Sequence, residues 1–575
     1  MNCSREPSAM SGQAEPGDAA GWHARAVACF EAGRFEDAER ACRRLLEIDP
    51  AHAKGQANLG AILQRRGADD EAERCYRAAI AAQPGFAQAW FNLAMLLLGR
   101  GRHAEALAPL EEAVRLEPQR ARDSAPLFEQ IAGSLLDVGA AGAAVQVFRR
   151  AIAADPSLHT AGSNLLFALN YVPGREPEEI FAEHLAWAER FGAAAPARHD
   201  NDPDPARRIR VGYLSPDFRE HALAFFIEPV LARHDRARVE AVCYSDAGSG
   251  DAVTARLRQL TVAWRESAEL DAAALSRRIR DDRIDLLIDL AGHSAGGKRM
   301  ALFALKPAPV QAGWLGYLNT TGLPQMDYRI SDSVACPEGW ERHHTERLVR
   351  LPHSQWCFAA DASAPAVGPL PAGRDGRITF ASVHNLAKVS ARVIALWSRL
   401  LREVPRSRLF MLAPGLEQAR AVAAEQFRRE GIDAGRLEFH DRVPIGEFLA
   451  LHDRIDINLD AFPYSGGTTT CHSLWMGVPV VTLAGRTMVS RGGASLLGAV
   501  GLPELVAESE DRYVDIARAL ADDLPGLARL RGELRDRVAR SPLADAAQFT
   551  RDLESAYRSM WEGWCGARTR QRSRS

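Results

Sequence analysis

Polar and apolar positions in the first quarter of the chain recur with a constant period. Pro50, Pro84 and Pro118 are evenly spaced, and Pro156 follows after a slightly longer interval. Ahead of each proline, at fixed offsets, stand a glycine and then an alanine, namely Gly33, Gly67, Gly101 and Gly139, and Ala38, Ala72, Ala106 and Ala144. A turn glycine, a small residue where two helices touch and a helix-ending proline predict one pair of antiparallel helices per period.

This period is typical of tetratricopeptide repeats, and it predicts about four of them over residues 17–158, after a disordered segment 1–16. Such repeats stack into a superhelix with an extended groove. One amide side chain per repeat occupies the same register, namely Asn58, Asn92, Gln130 and, in the continued register, Asn164. Amides donate and accept hydrogen bonds, so this row is predicted to bind the backbone of an extended protein substrate. The alternative is that the amides only fix the packing of the repeats.

After a helical bridge over residues 159–207, the pattern changes to short apolar strands that alternate with helical stretches. The strands RIRVGYLS, VEAVCYSD, IDLLIDLAG, APVQAGWLGY and YRISD predict a parallel sheet over residues 208–360. A Pro/Gly/Ala-rich connector at 361–376 leads to a second series over 377–562, which ends in a C-terminal helix. The predicted fold is therefore a helical superhelix followed by two Rossmann-like α/β lobes. The arginine-rich tail 563–575 is expected to be disordered.

Composition narrows the class of protein without pointing to a polyanionic partner. The formal net charge is -3, so no overall field would gather nucleic acid or an anionic membrane. No run of about 18 apolar residues exists, and the first residues lack a signal core. Nine cysteines without a C-x-x-C pair fit a reducing compartment. A cytoplasmic protein is expected, and assembly into a homo-oligomer is left open.

The candidate chemistry lies in the loops that follow predicted strands. After IDINLD comes AFPYSGGTTTCHSLWMG, where glycines, three threonines and a predicted helix start coincide. Such a turn can bind a pyrophosphate through backbone and hydroxyl donors; the alternative is an ordinary capped helix. The sequence contains neither the P-loop motif nor a G-x-G-x-x-G after a strand.

Two further loops carry titratable side chains. Lys388 follows the strand RITFASV and could neutralise a departing diphosphate, although a lone lysine there is usually solvated. His221 follows RIRVGYLS, and it is either a packing residue or a contact for sugar or acceptor hydroxyls. A second histidine loop, LAGHSAGGKRM, contains His293, Gly296, Gly297 and Lys298.

Taken together with the repeats, the segments RVGYLSPDFREH, LAGHSAGG, NLAKVS, DAFPYSGGTTTCHSLWMGVPVVTLAG and LESAYRSMW resemble protein O-glycosyltransferases of the O-GlcNAc transferase and SPINDLY type. The resemblance spans roughly residues 20–562. It implies a two-lobed B-type (GT-B) glycosyltransferase without metal or other cofactor. Such an enzyme would transfer a sugar, with inversion, from a nucleotide diphosphate to Ser or Thr of a protein held by the repeats.

The resemblance also implies roles for individual positions. Lys388 would stabilise the leaving diphosphate, with Asn385 nearby at the nucleotide, and His221 would lie near sugar and acceptor. Thr468 and Thr469, next to Gly467, would hold phosphate oxygens. His472 stands where O-GlcNAc transferases carry Asp and SPINDLY proteins Glu, a carboxylate suited to ribose hydroxyls. The position therefore departs from the family pattern, although a histidine can still form a hydrogen bond with a diol.

Three more positions follow from the same resemblance. The stretch Val443–Asp453 corresponds to the segment that flanks the nucleobase, with Phe448 a contact, although it departs from the basic form in O-GlcNAc transferases. His159 matches a histidine proposed as the general base there, which SPINDLY proteins do not keep; the alternative is a helix-start role. His343, His344 and Glu346 could suggest a metal, but they lack a fourth ligand at regular spacing, so no metal is expected.

The donor and the acceptor remain open to alternatives. UDP-GlcNAc is favoured as the more widespread donor of this architecture, whereas LNTTGLP and DAFPYSGGTTTC lie closer to SPINDLY and imply GDP-fucose. A transferase acting on a small molecule or polysaccharide, and an inactive repeat scaffold, are the other classes. Survival of Lys388, His221 and the Gly-Thr turn argues against the scaffold.

Overall fold

The computed structural model describes residues 16–192, 198–413 and 417–572, which form two compact units. One unit comprises the residues up to Leu135 together with Arg150–Ser157. The other comprises Leu136–Arg149 and the chain from Leu158 onward. The segment predicted to be disordered, residues 1–16, lies outside the described residues except for Pro16.

The repeat region is built from the helix pairs that the periodic pattern predicts. The helices are α1 (Ala19–Glu31), α2 (Phe35–Ile48), α3 (Ala53–Arg65), α4 (Asp69–Ala82), α5 (Ala87–Gly99), α6 (His103–Leu116), α7 (Ala121–Asp137) and α8 (Ala141–Ala154). The periodic glycines have positive φ angles of 73° at Gly33, 78° at Gly67, 72° at Gly101 and 79° at Gly139. This left-handed conformation ends the first helix of each pair and explains why the position repeats as glycine.

Successive repeats of the first unit are joined by buried alanines and by charge pairs. Ala38, Ala72 and Ala106, which share one register, are completely buried. Glu73 on α4 is also buried, and its carboxylate accepts hydrogen bonds from Arg100 (3.1 Å) and Arg102 (2.6 Å) of the following repeat. A buried carboxylate needs such partners, so this pairing fixes one repeat on the next.

A helical bridge follows the repeats, formed by α9 (His159–Leu169) and α10 (Pro177–Phe191). The buried face of α9 packs on the first lobe through hydrogen bonds. The hydroxyl of Ser163 lies 2.5 Å from Nδ1 of His293, and the amide of Asn170 donates to the Tyr317 hydroxyl at 3.0 Å. Helix α10 adds His184, whose Nε2 lies 2.7 Å from the same hydroxyl. These buried polar contacts anchor the bridge to the first sheet.

The first lobe contains a sheet of seven parallel strands in the order β3-β2-β1-β4-β5-β6-β7. Its elements are β1 (Ile209–Ser215), α11 (Ala224–Arg233), β2 (Val239–Ser245), α12 (Ala252–Leu260), β3 (Ala263–Glu266), α13 (Ala272–Asp281), β4 (Leu286–Asp289), α14 (Met300–Ala304), β5 (Val310–Gly313), β6 (Tyr328–Asp332) and β7 (Arg347–Leu351). The central strands are buried on both faces, as their near-continuous apolar sequences require.

The second lobe contains six parallel strands in the order β10-β9-β8-β11-β12-β13. Its elements are α15 (Ala372–Asp375), β8 (Ile378–Ser382), α16 (Ala391–Glu403), β9 (Ser407–Leu412), α17 (Glu417–Arg429), β10 (Leu437–His440), α18 (Ile445–Leu451), β11 (Ile457–Leu459), α19 (Thr468–Trp475), β12 (Val480–Leu483), α20 (Gly492–Val500), β13 (Val506–Ala507), α21 (Glu510–Asp522) and α22 (Leu524–Arg540). The predicted fold class, helical repeats followed by two parallel α/β sheets, is confirmed.

The last helix, α23 (Ala546–Arg572), returns to the first lobe, although the sequence assigns it to the second. The hydroxyl of Tyr557 lies 3.1 Å from that of Tyr213 on β1, and the indole of Trp561 donates to the carbonyl of Asp204 at 3.0 Å. The expectation that residues 563–575 are disordered is wrong for the described part, because α23 continues to Arg572. Trp564 stacks on Trp561 with ring centres 4.8 Å apart, which extends the helix into the basic segment.

Candidate active site

Two loops of the second lobe meet where its strand order reverses. Strands β8 and β11 are neighbours in the sheet but are separated in sequence by β9 and β10. The loop after β8 carries Lys388, and the loop after β11 carries the Gly-Thr turn that precedes α19. Ligands of open parallel sheets bind at such a switch point, outside the carboxyl ends of the strands. The fold therefore brings together the two loops for which the sequence predicts phosphate binding.

The loop after β8 presents Lys388 in a half-buried position. Asn385 caps the short helical turn Leu386–Lys388, because its side chain accepts a hydrogen bond from the Ala387 amide at 3.1 Å. Asn385 itself is exposed. The ammonium of Lys388 donates to the carbonyl of Ser465 at 2.8 Å. Burial lowers the pKa of Lys388 to about 8, and the nearby Asp460 carboxyl opposes this shift. The lysine therefore remains mostly cationic at neutral pH, with little solvent to screen its charge.

Asp460, directly after β11, organises the Gly-Thr turn. It accepts hydrogen bonds from the Gly466 amide at 2.7 Å and from the Thr482 hydroxyl at 2.6 Å. Burial raises the pKa of Asp460 to about 6, whereas Thr482 and Lys388 favour its charged form. A Cβ at residue 466 would lie 2.4 Å from the Thr470 hydroxyl, so only glycine fits there. The Asp460 carboxylate thus fixes the Gly-Thr turn beside Lys388.

His384 completes this polar cluster. Its Nδ1 lies 2.8 Å from the Thr469 hydroxyl. Its Nε2 lies 3.2 Å from Asp460 Oδ1, without the alignment that a hydrogen bond requires. Burial and the neighbouring Lys388 lower the pKa of His384 to about 3, so the imidazole is neutral. A neutral ring leaves Lys388 as the positive charge of the cluster.

Helix α19 starts at Thr468, immediately after Gly467. The amides at the start of a helix have no partner within the helix. Thr468 and Thr469, which are partly exposed, belong to this first turn. A Cβ at residue 467 would have Trp356 as its nearest neighbour, at 3.7 Å, so the backbone there is open to an approaching ligand. Amides at a helix start favour anions, and a cationic lysine in the adjacent loop adds to that preference. The arrangement can bind a diphosphate.

His472, one helical turn after Thr468, is buried among aromatic rings. The centres of the rings of Phe225, Phe358 and Phe448 lie 4.7, 5.5 and 5.8 Å from that of His472. Burial lowers the pKa of His472 to about 3, and its Nδ1 has no hydrogen-bond partner among the described residues. The structure thus places the Phe448 ring beside the neutral His472 ring, and binding of a nucleotide by these two residues stays a prediction. Val443 lies just before α18 and is partly buried.

In the first lobe, His221 lies in the loop after β1 and is 43% exposed. Its Nδ1 accepts a hydrogen bond from the Leu223 amide at 3.3 Å, which places the proton of the neutral ring on Nε2. Nδ1 also lies 3.8 Å from a carboxylate oxygen of Asp217. Partial burial lowers the pKa of His221, with Asp217 opposing this shift and Arg219 and Arg442 adding to it. The neutral side chain can therefore donate a hydrogen bond from Nε2.

The second histidine loop has a structural role. His293 is completely buried, and its Nε2 donates to the Thr321 carbonyl at 2.9 Å. Gly297, with φ of 59°, lies against α9 so closely that a Cβ would come within 1.8 Å of the Ser163 hydroxyl. Asn164 lies on the same helix beside Gly296, whose Cβ would be 3.6 Å from the Asn164 oxygen. His159, the first residue of α9, is exposed.

The remaining predicted amides lie on the first helices of their repeats. Asn58 on α3 lies 3.4 Å from the His23 ring nitrogen, and Asn92 on α5 accepts from Gln88 at 2.7 Å. Gln130 on α7 lies 3.3 Å from the His103 ring nitrogen. Each amide thus contacts one neighbouring side chain, and peptide binding by the row stays a prediction.

His343 and Glu346, in the segment that could suggest a metal site, form contacts with other side chains. His343 Nε2 lies 3.0 Å from Glu178, and Glu346 accepts hydrogen bonds from Thr320 and Thr321. Within residues 16–192, 198–413 and 417–572, no three His, Cys, Asp or Glu side chains lie together as a metal ion would require.

Sequence reasoning missed three contributors to the cluster, namely His384, Asp460 and Tyr464. All three stand in the loops that it singled out: His384 begins HNLAK, and Asp460 and Tyr464 belong to DAFPYSGG. Their position at strand ends was a usable signal. Their contacts to Lys388 and Thr469 depend on which strands are neighbours, which the linear sequence does not show.

Family models match most of the chain. The model of glycosyl transferase family 41 matches residues 193–363 and 370–553. This chain belongs to glycosyl transferase family 41. Tetratricopeptide models match residues 19–52 and 60–121, in front of the family 41 lobes. The resemblance inferred from the sequence is thereby confirmed.

Plant relatives of family 41 resemble the lobes. Proteins of Petunia hybrida and Arabidopsis thaliana, both named probable UDP-N-acetylglucosamine-peptide N-acetylglucosaminyltransferase SPINDLY, are 42% and 40% identical over 425 and 423 residues. These alignments cover 72% of this chain and 45% and 46% of the relatives. The chain therefore spans about half the length of the curated relatives it matches.

One solved structure resembles nearly the whole chain. A mutant of the Thermobaculum terrenum O-GlcNAc transferase superimposes with a TM-score of 0.73 and 34% identity, covering 96% of this chain and 98% of that one. Every helix in the described part of this chain is too short or too polar to cross a membrane.

Proposed function

We propose that the chain transfers N-acetylglucosamine from UDP-N-acetylglucosamine to serine or threonine hydroxyls of proteins that bind along its repeats. The observation that carries the proposal is the contact of the Lys388 ammonium with the Ser465 carbonyl, in the turn that leads into α19 at the switch point of the second sheet. A cation shielded from solvent beside helix amides suits a nucleotide diphosphate.

In the proposed reaction, an acceptor hydroxyl attacks the anomeric carbon as the bond from that carbon to the phosphate oxygen breaks. The configuration of the carbon inverts, UDP leaves with the bonding electron pair, and the hydroxyl proton passes to a base. Lys388 and the amides of Gly467, Thr468 and Thr469 stabilise the charge that develops on the leaving diphosphate. Because they supply this stabilisation, the proposal needs no metal ion.

The two candidate histidines take different roles in this proposal. The Nδ1 of His221 is occupied by the Leu223 amide, so its Nε2 proton serves as a hydrogen-bond donor to sugar or phosphate oxygens. We assign proton uptake to His159, the exposed first residue of α9, in line with the resemblance. Replacing His159 by alanine then lowers kcat while leaving donor affinity unchanged.

The choice of UDP-N-acetylglucosamine over GDP-fucose is supported by the donor for which the relatives are named. The plant proteins and a Caenorhabditis elegans protein, which is 24% identical over 475 residues, are all named for UDP-N-acetylglucosamine. The ribose and base are assigned to the side of α19 where His472 lies with Phe448. Val443 and Asn385 are assigned to the nucleotide from the resemblance. The neutral His472 ring offers one nitrogen to a ribose hydroxyl.

The test measures binding and transfer with matched lysine variants. Purified protein is titrated by calorimetry with UDP-N-acetylglucosamine and GDP-fucose, with and without EDTA. Transfer to a protein acceptor is followed by mass spectrometry. Lys388→Met removes the cation and keeps the length of the side chain. Lys54→Met, at an exposed position on α3, is the matched control.

We expect binding of UDP-N-acetylglucosamine that EDTA does not change, and serine or threonine modification that Lys388→Met lowers by about 100-fold or more. Lys54→Met should behave as the unchanged protein. Preferential binding of GDP-fucose would overturn the donor assignment. Binding of neither donor at millimolar concentration would overturn the proposed activity.

A further inference from the structure

The lysine of the candidate site rests on an aromatic ring. Nζ of Lys388 lies over the face of Tyr464, 4.5 Å from the ring centre. A cation over an aromatic face is attracted to the negative centre of the ring, more strongly where water is excluded. The same ammonium donates to the carbonyl of Ser465, the next residue. Two consecutive residues after β11 therefore fix where the charge lies.

Tyr464 is supported from behind by the helical bridge. The ring centre of Tyr171, just beyond the end of α9, lies 4.7 Å from that of Tyr464, with 31° between the ring planes. Phe167 on α9 meets the Tyr464 ring edge-on at 6.1 Å and Tyr171 at 5.2 Å. Tyr171 is buried, so its ring has little freedom to move away. The Lys388 ammonium thus contacts the Tyr464 ring, and the Tyr464 ring packs on Tyr171 of the bridge.

The other side of the Lys388 loop is held by the fourth repeat. Gly139 forms the turn between α7 and α8, with φ of 79°. A Cβ at this glycine would lie 2.6 Å from the Val389 carbonyl oxygen and 3.1 Å from that of Leu386. These carbonyls flank Lys388. Because the contact is between backbone atoms, no flexible side chain could move aside to make room for the added Cβ. The turn therefore limits where the loop can lie.

We propose that Tyr464 is a positioning residue for Lys388, and that Tyr171 and Gly139 hold the lysine in place from the helical part of the chain. This inference rests on the proposed function, because it concerns how Lys388 meets the diphosphate. Its consequence is that the turn at Gly139 and the bridge, which precede both lobes in the chain, help to position the lysine of the candidate site. A change in the fourth repeat or in the bridge then reaches the donor site through these two contacts.

The test uses two pairs of variants. Tyr464→Leu removes the ring, whereas Tyr464→Phe keeps its face and loses only the hydroxyl. Gly139→Ala places a methyl group against the loop of Lys388. Gly101→Ala introduces the same backbone strain at the equivalent repeat turn, where φ is 72° and no atom lies within 4 Å of the added Cβ. Thermal unfolding of all four variants reports folding.

The readouts are the affinity for UDP and the reactivity of Lys388 toward trace acetic anhydride as a function of pH, followed by mass spectrometry. The chain has four lysines, Lys54, Lys298, Lys306 and Lys388, so each labelled peptide is easily resolved. Asp460, His384 and Tyr464 are the titratable groups around Lys388, and only Tyr464 is changed. The acetylation profile requires no turnover, so it separates this inference from the proposed function.

We expect Tyr464→Leu to weaken UDP binding by about fivefold and to lower the pKa of Lys388, while Tyr464→Phe stays within about twofold. Gly139→Ala should weaken binding by at least about threefold relative to Gly101→Ala. A purely structural role would change unfolding but not the Lys388 profile. Unchanged Lys388 profiles in both Tyr464→Leu and Gly139→Ala would overturn the inference. If the unchanged protein binds no UDP, the proposed function fails while the acetylation comparison still decides this point.

Discussion

At the scale of residues, the most informative group is the Lys388 ammonium, whose surroundings pull its pKa in opposite directions. Burial lowers this pKa to about 8, while the Asp460 carboxyl favours the charged lysine. The site thus holds a cation that lies close to losing its proton in the physiological range. A ligand with fixed negative charge would reverse the shift, because it stabilises the ammonium further.

This balance predicts how donor affinity depends on pH. UDP-N-acetylglucosamine keeps a constant charge between about pH 6 and 8.5, so its binding should weaken as the pH rises through 8 and Lys388 loses its proton. In Asp460→Asn the carboxylate no longer supports the ammonium, so the weakening should begin at lower pH. Calorimetry across this range measures both curves. Coincident curves for the two proteins would show that Asp460 does not tune the lysine.

The sequence identified Lys388, Thr468 and His221 because each stands in a loop after an apolar strand, where parallel sheets bind ligands. It could not identify the Tyr464 ring as the support of the ammonium. That contact depends on the packing of Tyr171 from the bridge, which lies ahead of both lobes in the chain. The local pattern of apolar and polar residues predicts where a loop lies in the chain. Which side chains meet in that loop depends on tertiary contacts.

At the scale of elements, the docking of α9 on the first lobe depends on a missing side chain. Gly297 adopts a positive φ and leaves no room for a Cβ beside the Ser163 hydroxyl. An alanine there would strain the backbone and also push the two elements apart. The close packing of the bridge on the lobe therefore requires glycine at residue 297.

We predict that Gly297→Ala destabilises the protein by about 2 to 4 kcal/mol, from backbone strain and overpacking combined. Gly339→Ala is the matched control in the same lobe, since its φ is 84° but no atom lies within 4 Å of the added Cβ. It should lose only the strain. Adding Ser163→Gly to Gly297→Ala should recover part of the difference in urea unfolding; strict additivity would contradict the proposed clash.

Element prediction from the sequence succeeded for the long apolar strands and for the edge strand β10, and it missed the other three edge strands. Strand β3 (AWRE) was not predicted because it is short and partly exposed. Strand β13 (Val506–Ala507) was not predicted because it has only two residues. Edge strand β7 (RLVRL) alternates arginines with apolar residues and lacks the continuous run of a buried strand. The basic segment after Glu562 was misjudged because its charges outweighed Trp561, Trp564 and Cys565, whose helical spacing extends α23.

At the scale of the whole molecule, burial lowers the pKa of several imidazoles in the described part of the second unit, His344 among them. Burial lowers the pKa to about 3 for His184, His384 and His472, and to about 4 for His199, His293 and His452. In the unfolded chain the same rings take up protons near pH 6.5. Between these pKa values the unfolded state binds more protons, so the free energy of unfolding falls as the pH falls.

We therefore predict acid-sensitive stability below about pH 6.5, with a loss approaching 1.4 kcal/mol per pH unit for each buried histidine that stays neutral in the fold. Urea unfolding at several pH values measures the slope. His452→Gln, which removes one buried ring, should lessen it, whereas the exposed His353→Gln should not. Equal slopes in all three proteins would refute this account.

The last helix provides a second prediction for the whole molecule. Tyr557 and Trp561 are completely buried against the first lobe. A chain that stops after Ala556 loses both, and each large aromatic side chain contributes about 3 to 5 kcal/mol when buried. We expect this truncation to unfold the first lobe, as seen by rapid proteolysis between residues 208 and 360. A chain that stops after Arg568 keeps these contacts and should resist proteolysis as the full chain does.

The return of α23 to the first lobe also constrains how the protein is made. The strands of the first sheet leave the ribosome well before the helix that covers them, because the entire second lobe is translated in between. Until residue 561 emerges, the surface around Tyr213 has no cover, and apolar surface of that kind invites chaperone binding. The first lobe is therefore completed only once the second lobe and α23 have been translated. A ribosome that stalls before α23 would leave behind helical repeats attached to an incomplete first lobe.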